Sequence, residues 1–144
     1  MTQVDFYIID SDSDDARLRQ ACRIVEKATE TDQNVFIHAT SDVDARKLDE
    51  LLWTFSQGSF IPHRIVHEGP DVAPLEPVII GLNRAPLGER WDLMINLATD
   101  VPEFFSRYRR VVEVVDGNAT RRAQSRDRYR FYRDRGYTLN THQV

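Results

Sequence analysis

Lysine is scarce in this chain, cysteine is single, and no long apolar run occurs. Of 19 basic residues in 144, only Lys27 and Lys47 are lysines; the rest are arginines. Cys22 has no second cysteine with which to form an internal disulfide. The opening residues MTQVDFYIID lack the basic stretch and apolar core of a secretory signal, and no segment approaches the ~20 apolar residues that cross a bilayer. A cytoplasmic location is the expectation. Glycine is missing from the turn DSDSDD at residues 10–15, which therefore carries neither a dinucleotide fingerprint nor a phosphate-binding loop. No G-x-S-x-G occurs either, so serine-hydrolase chemistry has no support.

What is present suits one domain over residues 1–144, since the chain is 41% hydrophobic and 29% charged. Val4 to Ile9 reads as a buried first strand. Leu18, Ala21, Cys22 and Val25 then recur at i, i+3, i+4 and i+7, with Asp14 and Asp15 at the favoured acidic start of a helix. Asn34 punctuates before a second strand, Val35 to His38. Ser41 and Asp44 have the spacing of a capping box, and Ala45, Leu48, Leu51 and Leu52 continue on one helical face. Residues 55–77 hold four prolines and two glycines and read as loops and short strands. Val78 to Leu82, Leu93 to Leu97 and Val111 to Val115 read as further strands. A short helix from Pro102 to Tyr108 and a last helix from Ala119 to Arg135, closed by Gly136, complete the pattern. The expected fold is α/β, a three-layer α/β/α domain with a mostly parallel open sheet of Rossmann-like or P-loop-like topology and no nucleotide site.

Several sites tempt and fail. Asp10, Asp12 and Asp14 imitate the start of a calcium loop, but Asp15 replaces its glycine and Ala21 its bidentate glutamate. A phospho-receiver domain would also place acids after strand one, yet it keeps a late lysine, and none follows Lys47. His63 and His67 are four apart in a proline-rich stretch without a third ligand, and Cys22 falls on an apolar helical face. No metal or cofactor is expected.

Charge is distributed unevenly. Residues 117–144 hold seven arginines against two aspartates, a net of +5; with −4 for the whole chain, the other 116 residues carry −9. In a helix over 119–135, Arg122, Arg126, Tyr129, Arg130 and Arg133 share one face, while Arg128 and Tyr132 point away. A tyrosine among arginines offers an apolar wall beside carboxylate-matching forks. Two ligands fit: a single-stranded nucleic-acid backbone with stacked bases, or an acidic peptide ending in a hydrophobic residue. The acidic body disfavours the first. A nucleotide- or phosphate-handling α/β enzyme is the alternative from a different class.

The pieces FYIID (6–10), LDELLW (48–53), SFIPH (59–63), EGP (68–70), DLMINL (92–97) and RDRYRFYRDRGYTLNT (126–141) share order and near-spacing with one family. In these the chain resembles the chi subunit of bacterial DNA polymerase III. Residues 71–77 and 83–90 depart from that pattern, as do Gly117 and Asn118. The resemblance implies a non-catalytic accessory subunit of a DNA-directed DNA polymerase (nucleotidyltransferase) holoenzyme, associated with the replisome. It implies a heterodimer with the psi subunit, a link to the clamp-loader complex through psi, and contact with DNA mainly through other proteins. It implies that the acidic C-terminal tail of single-stranded DNA-binding protein meets Val115, Arg126, Tyr129 and Arg130, with Arg133 beside them. The implied psi surface falls on Trp53, Phe60, Pro62 and His63, and a repair helicase is a further implied partner.

Overall fold

A computed structural model describes residues 1–54, 60–67 and 73–144. The EGP piece at 68–70 and Ser59 of the SFIPH piece lie outside the described residues. The elements in chain order are β1 (Gln3–Ile8), α1 (Asp14–Glu30), β2 (Val35–Ala39), α2 (Asp42–Thr54), β3 (His63–Val66), β4 (Val78–Leu82), β5 (Leu93–Asn96), a 3-10 turn (Glu103–Arg107), β6 (Arg110–Val115), α3 (Ala119–Asp134) and β7 (Thr138–Gln143). The strands form one open sheet in the order β3-β4-β2-β5-β6-β1-β7, and all six pairings are parallel. No described helix is long and apolar enough to cross a membrane.

Each helix begins where its sequence directs. The Ser13 hydroxyl accepts from the amide of Ala16, with Asp14 and Asp15 in the first turn of α1. Ser41 accepts from the amide of Asp44 at 3.2 Å, which is half of the expected capping box. The Asp44 carboxylate completes an ion pair with Arg17 at 2.7 Å, so it serves α1–α2 packing as well. Asn118, a departure from the family pattern, caps α3 by accepting from the amide of Arg121 at 3.0 Å. Gly136, with φ of 80°, follows α3 in the left-handed region that glycine adopts without strain.

Two apolar cores lie on opposite faces of the sheet. Leu18, Ala21, Cys22 and Val25 of α1 and Leu48 and Leu52 of α2 pack on Ile37, Ile80, Ile95, Val112 and Val114. Cys22 is fully buried, and burial pushes its thiol up to about 12, so it behaves as a core residue. On the other face Tyr132 of α3 joins Val4, Phe6, Val111, Val115 and the rings of Phe105 and Tyr108. Alternation along β6 sends Val112 and Val114 one way and Val111, Glu113 and Val115 the other.

Two strands escape a hydrophobic reading. β3 lies in the proline-rich stretch, and β7 reads TLNTHQ, polar and largely exposed at the sheet edge. Besides its ladder with β1, β7 is held by His142, whose ring stacks on Tyr7 at 4.6 Å and meets Asp5 at 3.1 Å.

Asp5 yields a pH prediction. Burial by itself raises its carboxyl, but hydrogen bonds from Arg110 at 2.5 Å and from His142 outweigh that and hold it below the usual carboxylate value. The resulting stabilisation is complete above the unfolded carboxyl value of about 3.9 and is lost as pH falls through the lower folded value. Asp5→Asn should therefore lower Tm at neutral pH and flatten the Tm profile below about pH 4. Thermal unfolding followed across that range checks this. Gly81 is constrained by close approach, since an added Cβ would lie 2.3 Å from Cζ of Phe36. Gly81→Ala should destabilise by about 1–3 kcal/mol through overpacking, read as a Tm roughly 3–10 °C lower.

Candidate functional site

The arginines of the last helix divide into inward and outward sets. Arg121 turns to the sheet, where Nη2 meets the fully buried Asp116 carboxylate at 2.5 Å. That hydrogen bond raises the Arg121 pKa further. Arg135 lies over the Phe131 ring at 3.6 Å. Arg128 is buried: Nε donates to Glu113 at 2.9 Å, Nη1 to the carbonyl of Thr99 at 2.8 Å and Nη2 to the hydroxyl of Ser125 at 3.0 Å. The other Glu113 oxygen accepts from the Tyr132 hydroxyl at 2.7 Å and from Asn96 Nδ2 at 3.0 Å. Burial, then the neighbouring Glu113 charge, push the Tyr132 hydroxyl far above its ordinary pKa, so it acts as a fixed donor.

With Arg128 and Tyr132 held inside, helical periodicity leaves Arg122, Arg126, Tyr129, Arg130 and Arg133 exposed. The structure thus brings four of the five expected tail-binding residues onto one face. Tyr129 lies on the Phe6 ring edge-on at 5.2 Å, and Phe6 shares its apolar cluster with the fifth, Val115, and with Ile8. Val115 itself is buried at the end of β6, so it contributes to the floor rather than to the rim. Arg130 pairs with Asp127 and Arg133 with Asp134 at 3.1 Å, both pairs well exposed. Arg122 and Arg126 meet no carboxylate among the described residues. Exposed pairs of this kind contribute about 0–1 kcal/mol, so an incoming carboxylate competes readily with Asp127 and Asp134.

The second expected set gathers at the end of α2. Trp53 and Phe60 stay 45% and 73% exposed, which excludes a simple core role, and their rings are 5.0 Å apart. His63 is buried 4.3 Å from the Trp53 ring, with Nδ1 on the carbonyl of Ile61 at 2.7 Å and Nε2 on Asp49 at 2.9 Å. Pro62 is exposed beside them. His63 is thereby taken up in the contact between α2 and β3.

At the carboxyl ends of β2, β5 and β6, where ligands settle in open α/β sheets, there is a cleft of about 350 Å³. Its arginines are already committed: Arg17 to Asp14 and Asp44, Arg121 to Asp116 and Arg128 to Glu113. Burial by itself would raise the Asp14 carboxyl, but Arg17, Arg121 and Lys47 together outweigh it and hold the group below its usual value. Asp14 of the acidic turn is therefore bound into the fold, while Asp10 and Asp12 stay exposed. Among the described residues, no group of three or more histidine, cysteine or acidic side chains is placed to hold a metal.

The family model described as DNA polymerase III chi subunit matches residues 1–140. The chain belongs to the DNA polymerase III chi subunit family. It is 40% identical over 144 residues to DNA polymerase III subunit chi of Pseudomonas aeruginosa, covering all of this chain and 98% of that protein. It is 30% identical over 145 residues to the subunit chi of Escherichia coli, covering 98% and 97% of the two chains, and 28% identical over 125 residues to that of Haemophilus influenzae, covering 86% and 85%. Within this chi-family domain, Glu113, Asn96 and the Asp116–Arg121 pair are the residues that sequence reasoning missed. The signal for Glu113 was a lone acid inside the apolar run VVEVV, which in a buried strand demands a cationic partner.

Removing that partner gives the sharpest structural test. Arg128→Ala strands the Glu113 carboxylate in the core and should cost about 3–5 kcal/mol, measured by denaturant unfolding. Arg126→Ala, two residues away and exposed, should change stability by less than about 0.5 kcal/mol.

Proposed function

We propose that this chain is a non-catalytic accessory subunit of the DNA polymerase III clamp-loader complex. It bridges the psi subunit, at exposed Trp53, Phe60 and Pro62 with His63 buried behind them, to the acidic C-terminal tail of single-stranded DNA-binding protein, at Arg126, Tyr129, Arg130 and Arg133 over the floor at Val115. Membership of the chi family supports the replication role, and the relatives are themselves named as DNA polymerase III subunits.

The observation that carries the tail site is a half-exposed tyrosine on an apolar floor beside an arginine that meets no carboxylate. Tyr129, Phe6 and the end of β6 offer a seat for a terminal hydrophobic side chain. Arg126 takes the tail's terminal carboxylate in a forked hydrogen bond, and Arg130 and Arg133 exchange their helical aspartates for those of the tail. Every polar contact in this scheme is charge-assisted and solvent-accessible, so affinity falls as salt rises.

Titration with a peptide of the host's single-stranded DNA-binding protein tail tests the assignment. Arg126→Ala and Arg130→Ala should each weaken binding about tenfold or more, which is about 1.4 kcal/mol, with unfolding curves unchanged. Unchanged affinity in both variants contradicts the site. Bare single-stranded DNA binding as tightly as the peptide at physiological salt would assign the face to nucleic acid.

A further inference from the structure

The Trp53–Phe60 face continues into a cleft of about 530 Å³ that runs from Phe60 and Pro62 to the end of α1. Three carboxylates line it, Glu26, Glu30 and Asp32, while the guanidinium at its edge, Arg90, is spent on Asn34 Oδ1 at 3.1 Å and on the carbonyls of Pro74 and Leu75. The placement is unfavourable for α1 itself. Glu30 and Asp32 stand at the C-terminal, partially negative end of the helix dipole, where a basic residue is preferred and where Lys27 alone supplies one in the last turn. Neither carboxylate meets a cation among the described residues. On α2, Asp49 and Glu50 stand four and three positions before Trp53, so the aromatic pair is edged by acid on that side too. Exposed aromatics edged by carboxylates on two sides fit a partner with an apolar anchor and the opposite sign.

We propose that the psi segment seated on this face is basic: an aromatic or aliphatic side chain packs on Trp53 and Phe60, and lysine or arginine side chains enter the cleft to meet Glu30 and Asp32. The inference rests on the reading of this face as the psi surface and adds the chemistry of the segment that occupies it. The chain then carries two docking faces of opposite sign. An acidic tail is drawn to α3 and repelled from the α1–α2 end, and a basic segment is sorted the other way.

The test uses the full chain and the psi subunit of the same organism, with affinities measured at about 0.1 M and about 1 M salt, where the Debye length falls from about 10 to about 3 Å. The variant Glu30→Lys with Asp32→Asn reverses the charge at 30 and removes it at 32, and asparagine retains tolerance of the left-handed backbone at position 32, φ 57°. It should weaken psi binding about tenfold at low salt, with the gap closing at high salt, while Tm holds or rises because the helix end is relieved. Phe60→Ala should weaken binding at both salt concentrations. If the charge variant binds psi as the parent does while Phe60→Ala weakens binding, the basic-segment inference is overturned and the psi surface stands. If psi does not bind, or Phe60→Ala binds unchanged, the surface assignment fails and the inference with it. A chain that sediments as a dimer broken by Phe60→Ala, without psi, assigns the face to a second copy and also overturns the proposal.

Discussion

The buried pair of Glu113 and Arg128 is the interaction on which the rest of the molecule depends. A carboxylate with no solvent exposure in the middle of a parallel strand is costly unless its oxygens are satisfied, and here three donors from α3 and β5 satisfy them. Those donors fix the rotation of α3 about its own axis. Once Arg128 and Tyr132 are committed inward, the 3.6-residue period leaves Arg126, Tyr129, Arg130 and Arg133 on the surface. The proposed peptide face is thus a consequence of core chemistry. A hydrophobic residue at 113 would hold the helix by packing alone, which specifies rotation less sharply than a guanidinium whose three nitrogens reach Glu113, Thr99 and Ser125.

Arginine does three separate jobs along one helix. Arg121 and Arg128 neutralise buried acids, Arg135 covers an aromatic ring, and the outward set stays available. The same economy explains the cleft at the carboxyl ends of the strands. Its cations already face carboxylates of the chain, so the position where this fold class receives phosphates is occupied by internal ion pairs. Charge left over after these pairings is polarised, basic along α3 and acidic at the α1–α2 end.

Much of this is legible in the amino-acid order alone. The apolar runs at β1, β2, β4, β5 and β6 and the i, i+3, i+4 faces of α1 and α2 carry enough hydrophobic signal to place them within a residue or two. β7 was not legible, because a polar edge strand pairing on one side has no hydrophobic requirement to betray it. The outward face of α3 followed from spacing alone. Its inward face needed the three-dimensional partner, since nothing local connects Arg128 to an acid 15 residues earlier. Trp53 and Phe60 show the opposite difficulty. Large aromatics serve cores and interfaces alike, and only their exposure separates the two uses.

The most direct measurement is an amide chemical-shift map of the isotopically labelled chain titrated with the single-stranded DNA-binding protein tail peptide. Perturbations centred on Arg126, Tyr129, Arg130 and the end of β6 at Val115, and diminishing with added salt, are the predicted result. Perturbations centred on Trp53 and Phe60, or on no contiguous face, would contradict the account.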